Sequence, residues 1–191
     1  MRLPIQALEL ARFADLGQNS AIAWISIKPV GKHIMQASAT NGASLAQYAW
    51  IDVGHDKREV CLNAEDVMKM LKDTAKKDRL LGGSLNDNVL QIGNELGKPV
   101  RVVPHEEINF PPIEQAIPED ALDPKDEGPR GSVFGMDLRL LIKVQEWLRG
   151  VGGNPVVKII TRGPQDPVRI DVATFETTGG TALFVVMPAR L

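Results

Sequence analysis

Few residues in this chain carry the types and spacing that chemistry needs. His105 opens the stretch HEEIN (105–109), which begins like the HExxH helix of zinc hydrolases, where two histidines one turn apart hold the metal and the glutamate activates water. Position 109 is Asn, and the chain runs on into Phe-Pro-Pro instead of continuing a helix. The second ligand and the scaffold that would aim it are both missing, so HEEIN is expected to be a polar strand end. His33 and His55 have no other histidine at ligand spacing. Glu106, Glu107 and Glu114 are the candidates for a carboxylate pair, but their spacing alone does not bring two together, and solvated carboxylates are the commoner outcome. No GxxxxGK[ST] phosphate loop is present, and GGSL (82–85) lacks the glycine pattern of a nucleophile elbow. Cys61 is the only cysteine, which excludes an internal disulfide and a cysteine-rich metal site. A nucleophile, an oriented base and a cofactor loop are all lacking. The expectation is a non-enzymatic protein with no cofactor and no metal.

The bulk numbers bound what such a protein can be. A chain of 191 residues, 43% hydrophobic and 24% charged, is long enough to bury an ordinary core. Its net charge of −2 gives no global attraction to nucleic acid or to anionic membranes, so any DNA contact must come from a local patch. Glu9, Arg12 and Asp15 interrupt the stretch where a signal peptide needs an apolar run, and no segment approaches the roughly 18 apolar residues of a membrane span. A cytoplasmic protein without a membrane segment is expected.

Stepping along the chain, one pattern appears three times. Leu3 and Pro4 form a short leading strand before a helix over 5–16, with Ile5, Leu8, Ala11 and Leu16 near helical spacing. The strands IAWISIKPV, IMQASAT and LAQYAWIDV follow, separated by GKH and NGAS turns. In the second unit, REVCL leads into a helix capped by Asn63, with Val67, Met70 and Leu71 as its apolar stripe. RLLGGSLNDN, VLQIGNELG and KPVRVVPHEEINFP are its three extended stretches. PEDALDPKDEGPRG, from Pro118 to Gly131, changes composition to prolines and acids and marks a linker over 119–131. Residues 132–191 supply a third unit, with a helix carrying Leu138, Leu141, Ile142 and Leu148, then VVKIITRG, VRIDVATF and TALFVVMPARL. The fold class is α+β: repeats of strand, helix and three strands, with each helix face buried on an antiparallel sheet.

Three stretches in order then resemble a known family. SATNGASLA (38–46) resembles the ATDGxRLA turn of bacterial sliding clamps, the DNA polymerase III β subunits. INFPPIEQAIP (108–118) resembles their RFPDYxxVIP segment, and VVMPARL (185–191) their closing VMPMRL. Residues 1–118 are similar, element by element, to the family's middle domain, and 132–191 to the second half of its last domain. The first domain and half of the last have no counterpart, so the chain resembles an abbreviated clamp.

The resemblance implies a processivity or tethering factor that takes DNA polymerase or repair-protein peptides into a groove. On this chain the matching positions are Thr40, Gly42, Leu45, Pro118, Val185, Val186, Met187, Pro188, Arg190 and Leu191. Asn41, Ala43, Ser44 and Ala189 depart from the family pattern and imply a shallower pocket. The resemblance also implies encirclement of double-stranded DNA without sequence reading, with helix cations meeting phosphates. Lys69, Lys72 and Lys76 on the second helix, and Arg139, Lys143 and Arg149 on the third, are the candidates, set among Asp73, Asp78, Asp137 and Glu146. The alternative is a clamp-fold interaction protein that forms no ring. Three units are an odd count, so the third is expected to complete a domain with another copy in an even-membered homo-oligomer.

Overall fold

Alternation of side chains builds the central sheet. In β2 (Trp24–Gly31), β3 (Ile34–Thr40) and β4 (Ser44–Ile51), the residues Ile25, Ile27, Met35, Ala37, Ala39, Ala46, Tyr48 and Trp50 all enter the main core. The residues between them, Ser26, Ser38 and Leu45 among them, turn to the opposite face and are also buried. The computed structural model describes residues 1–16, 20–52, 54, 58–117, 138–151, 157–160, 167–175 and 180–187. The expected linker over 119–131 and His55 lie outside the described residues.

Two antiparallel sheets form, and the first two units exchange their leading strands. A four-stranded sheet has the order β1-β6-β7-β8, from β1 (Arg2–Leu3), β6 (Gly83–Asn86), β7 (Val89–Ile92) and β8 (Lys98–Pro99). An eight-stranded sheet places β5 (Val60–Asn63) and β9 (Val102–Pro104) beside β2, in the order β10-β11-β12-β4-β3-β2-β5-β9. Thus β1 of the first unit pairs with β6 of the second, and β5 of the second pairs with β2 of the first. The stretch expected as one strand, KPVRVVPHEEINFP, is divided: β8 serves one sheet and β9 the other. HEEIN opens with a 3-10 turn over His105–Glu107, directly after β9, and not with the expected strand end.

The first helix is shorter than its periodicity suggests. α1 (Ile5–Leu8) passes into a 3-10 turn over Glu9–Phe13, and Ala14 is already extended. Leu16, expected on the buried stripe, is exposed. α1 and its 3-10 turn are walled in by α2 (Ala64–Asp73) and α4 (Leu138–Val151), which explains why even Gln6 and Glu9 are buried. The Glu9 carboxylate binds the Arg12 side chain and lies 3.7 Å from Arg79, while Arg12 also reaches Glu146 of α4 at 3.6 Å. These ions link all three units.

α2 has a defined start and stop. The Asn63 side-chain oxygen accepts the Asp66 backbone N–H at 3.2 Å, and Thr74 donates both its N–H (3.0 Å) and its hydroxyl (2.9 Å) to the Met70 carbonyl. Burial works against ionisation of Asp66, but hydrogen bonds and charge from Arg101 prevail and hold its carboxyl below the usual range. Thr74 is extended, so the chain turns away and restarts as the short α3 (Lys76–Arg79).

The third unit shares the first unit's core. β12 (Gly180–Val186) pairs with β4 and with β11 (Val168–Phe175), and β10 (Val157–Ile160) forms the sheet's edge. The indole of Trp147 on α4 is fully buried, donates its N–H to the Gln6 carbonyl at 3.0 Å, and stands edge-on to Phe184 at 5.1 Å. Phe184 in turn meets Phe13 at 5.1 Å. The apolar face and one sheet edge of the third unit are therefore covered within the chain, where the odd unit count leads one to expect a second copy. Cys61 is fully buried on β5; desolvation pushes its thiol up to about 12 against an opposing hydrogen bond with Ser26. That thiol is inert at neutral pH.

Candidate functional site

The β3–β4 turn is built by its own side chains. Thr40 Oγ1 accepts the Gly42 N–H at 3.1 Å and donates to the Ser44 carbonyl at 2.8 Å. Asn41 Oδ1 accepts from Ala43 N–H (3.1 Å), Ser44 N–H (2.8 Å) and the Ser44 hydroxyl (3.0 Å). An Asn here does what an Asp would do, since one side-chain oxygen carries all three bonds. Gly42 has φ +83°, a conformation that side-chained residues rarely adopt. These polar groups are engaged with one another and shape the rim.

The end of β12 is fastened to this turn. Val185 lies opposite Leu45 and Val186 opposite Ser44, and the Met187 N–H donates to the Ala43 carbonyl at 3.2 Å. Across the outer face of the sheet runs the segment after β9, in which Ile113 packs with Leu45 and Val185, and Phe110 and Ile117 close around them. Between turn, strand end and crossing segment is an open cavity of about 180 Å³. Thr40, Gly42, Ser44 and Leu45 form one side, Val185 and Met187 the second, and Pro111 and Ile113 the third, with Ile22 beside them. Its walls are largely hydrocarbon, and Met187 is 46% exposed at its lip.

Five positions picked from the sequence, Thr40, Gly42, Leu45, Val185 and Met187, line this one cavity. Val186 does not: it belongs to the main core on the other face of the sheet, because successive side chains on a strand point to opposite sides. Pro118, Pro188, Arg190 and Leu191 lie outside the described residues. Ile22, Ser44, Pro111 and Ile113 are lining residues that the sequence reading did not name as such. INFPPIEQAIP (108–118) contains two of them, Pro111 and Ile113, alongside the Pro118 expected in the groove.

The cations chosen on the helices are divided by the structure. Lys69 and Lys72 are exposed on α2, with Lys69 paired to Glu65 at 2.9 Å. Lys76 does not continue their face, because α2 ends at Asp73 and Lys76 belongs to α3. Arg139 and Arg149 are exposed on α4. Lys143 is half-buried, and desolvation lowers its ammonium pKa despite the nearby charges of Asp15 and Glu146. Among the described residues no group of three or more His, Cys, Asp or Glu could hold a metal, and no helix is long and apolar enough to cross a membrane.

No protein-family model and no curated protein matches the chain. Solved structures do. The Helicobacter pylori β clamp bound to a DNA ligase peptide superposes with a TM-score of 0.68 at 10% identity, over 100% of this chain and 65% of that one. The DNA polymerase sliding clamp of Pseudomonas aeruginosa with ligand gives 0.65 at 13% identity, over 100% and 66%. The DNA polymerase III β subunit of Thermotoga maritima gives 0.65 at 12% identity, over 98% and 63%. At such identities the likeness is one of fold: this chain has the sliding-clamp fold, built of antiparallel sheets and a few helices, and spans about two thirds of the length of those clamps.

Proposed function

We propose, with the sliding-clamp fold as the premise, that this protein is a tethering factor that docks partner peptides in the groove between the β3–β4 turn and the end of β12. The observation that carries the reading is an apolar cavity that joins Leu45, Ile113, Val185 and Met187, drawn from three distant stretches of the chain: the β4–β12 ladder sets Leu45 beside Val185, and Ile113 packs on both. Its role is binding, not catalysis. The peptide seen on the Helicobacter pylori clamp supports the choice of ligand class. Pro118, Pro188, Arg190 and Leu191 are proposed to complete the groove, and the organisation proposed is a clamp domain over 1–118, a linker over 119–131 and a third repeat over 132–191. A labelled peptide with Leu and Phe anchors is expected to bind the intact chain. Burying one such anchor is worth about 1.5–3 kcal/mol, so Met187→Asp, which puts a charge at the lip, is expected to weaken binding at least tenfold in fluorescence anisotropy. Equal affinity for wild type and variant defeats the groove assignment.

A second reading is favoured by the exposed Lys69, Lys72, Arg139 and Arg149 on α2 and α4, the helices flanking the first. In it, copies of the chain close around duplex DNA as a processivity ring. Such a ring is expected to be retained on circular DNA and to slide off the linearised form, and light scattering is expected to find more than one copy. A monomer that neither DNA form retains at low salt, where phosphate binding is strongest, leaves the peptide-docking protein without a ring.

A further inference from the structure

The face of the sheet that holds the groove continues well beyond it, because side chains at every second strand position share one face. From Thr40 at the groove, the alternate positions of β3 are Ser38, Gln36 and Ile34. From Leu45, directly opposite Thr40, those of β4 are Gln47, Ala49 and Ile51. Not one of these residues is charged, although 24% of the chain is. The bordering strands differ: Lys28 of β2 lies opposite Gln36, and Arg169 and Asp171 of β11 pair with each other at 2.7 Å. At its far end the uncharged strip becomes apolar. Ile34 and Ile51 lie directly opposite each other, 43% and 59% exposed, and Val30, at the irregularity between Pro29 and Gly31, adds a third exposed apolar side chain. The outward face of a solvated antiparallel sheet is normally its polar face, and here that end leaves hydrocarbon in water.

We infer that the peptide docked in the groove continues along this strip as an extended chain and sets a second apolar anchor on Ile34 and Ile51. The inference rests on the groove reading above and adds the length of the ligand and the spacing of its anchors. Thr40 to Ile34 and Leu45 to Ile51 are six positions each, a span of about 20 Å, which an extended peptide covers in about six residues. Continuity points to one ligand: the groove and the patch belong to the same two strands, and no charge stands between them on the shared face of β3 or β4. A path without charged groups costs a peptide little desolvation, and Gln36 carries a neutral donor and acceptor midway. Lys28 and the Arg169–Asp171 pair border the path on neighbouring strands.

The test uses the intact chain and labelled peptides that share the Leu and Phe anchors. The short peptide ends at those anchors; the long ones carry a further Leu about six residues before or after them, each with a reference peptide that has Ser in its place. One long peptide is expected to bind about tenfold more tightly than its reference, with the gain persisting at high salt because no ion pair underlies it. Ile34→Thr combined with Ile51→Thr keeps β-branched residues on both strands. That variant is expected to erase the gain and leave the short peptide's affinity intact, with a melting temperature close to wild type confirming the fold. If the short peptide binds and neither long one improves on its reference, or if the gain survives the double substitution, the second anchor is overturned and the groove stands. If light scattering shows self-association of the wild type that the double variant loses, a second copy covers Ile34 and Ile51, and the second anchor is again overturned. If no peptide binds, the groove reading fails and the second anchor falls with it.

Discussion

Trp147→Ala is expected to destabilise the protein by about 3–5 kcal/mol, the usual cost of deleting a fully buried aromatic ring. For a chain of this size, that lowers the melting temperature by roughly 6–20 °C. The site is at the upper end of such effects for three reasons. The indole is completely excluded from solvent, its ring contacts Phe184 and Tyr48, and its N–H satisfies the Gln6 carbonyl, which would be left buried without that donor. The loss also has a direction. Trp147 holds α4 against α1 while Phe184 holds β12 against the same core, so the variant is expected to weaken the peptide groove although Trp147 does not line it. Trp147→Phe keeps much of the volume and loses the hydrogen bond, so an intermediate loss is expected. Chemical denaturation of the three proteins checks both points, and a wild-type midpoint for Trp147→Ala refutes the docking of α4 described above.

Gly180→Ala is expected to be nearly as damaging for a substitution of one methyl group. A Cβ at Gly180 would fall on the hydroxyl and ring of Tyr48, and 2.8 Å from the Ala49 carbonyl, far inside normal contact. Tyr48 has little room to yield, since its ring is fully buried and stacks on Trp50 at 6.0 Å. Overpacking of this kind costs about 1–3 kcal/mol and more where backbone must move. Here the backbone that moves is the start of β12, which fastens the third unit to β4. Gly180→Ala is therefore expected to raise hydrogen exchange in β12 selectively, and adding Tyr48→Phe, which removes the overlapping hydroxyl, is expected to recover part of the stability. An unperturbed β12 in Gly180→Ala rules out this packing.

Much of the fold is legible in the order of residues because local patterns carry it. The alternation in β2, β3 and β4, the Asn63 cap and the TNG turn are set by neighbours within a few positions, and the structure follows them. Where the reading fails, a distant partner decides. Residues 5–13 do not form the full expected helix, and their buried Gln6 and Glu9 are explained only by the helices on either side. Lys76 leaves the face of Lys69 and Lys72 because Thr74 ends α2 two residues earlier. Val186 and Val185 look alike in sequence, but the parity of β12 sends one to the main core and the other to the groove.

The terminal VVMP and the internal ATNG illustrate the division. The sequence by itself determines that the first is an apolar strand end and the second a tight turn, since β-branched residues, glycine and side-chain oxygens impose those conformations locally. Their conjunction is decided by the tertiary structure alone: Leu45 and Val185 are 140 positions apart, and only the β4–β12 ladder sets them side by side. Nothing within a short window encodes that pairing; the burial of Trp147 and Phe184 in a core shared with Phe13 and Tyr48 stabilises it.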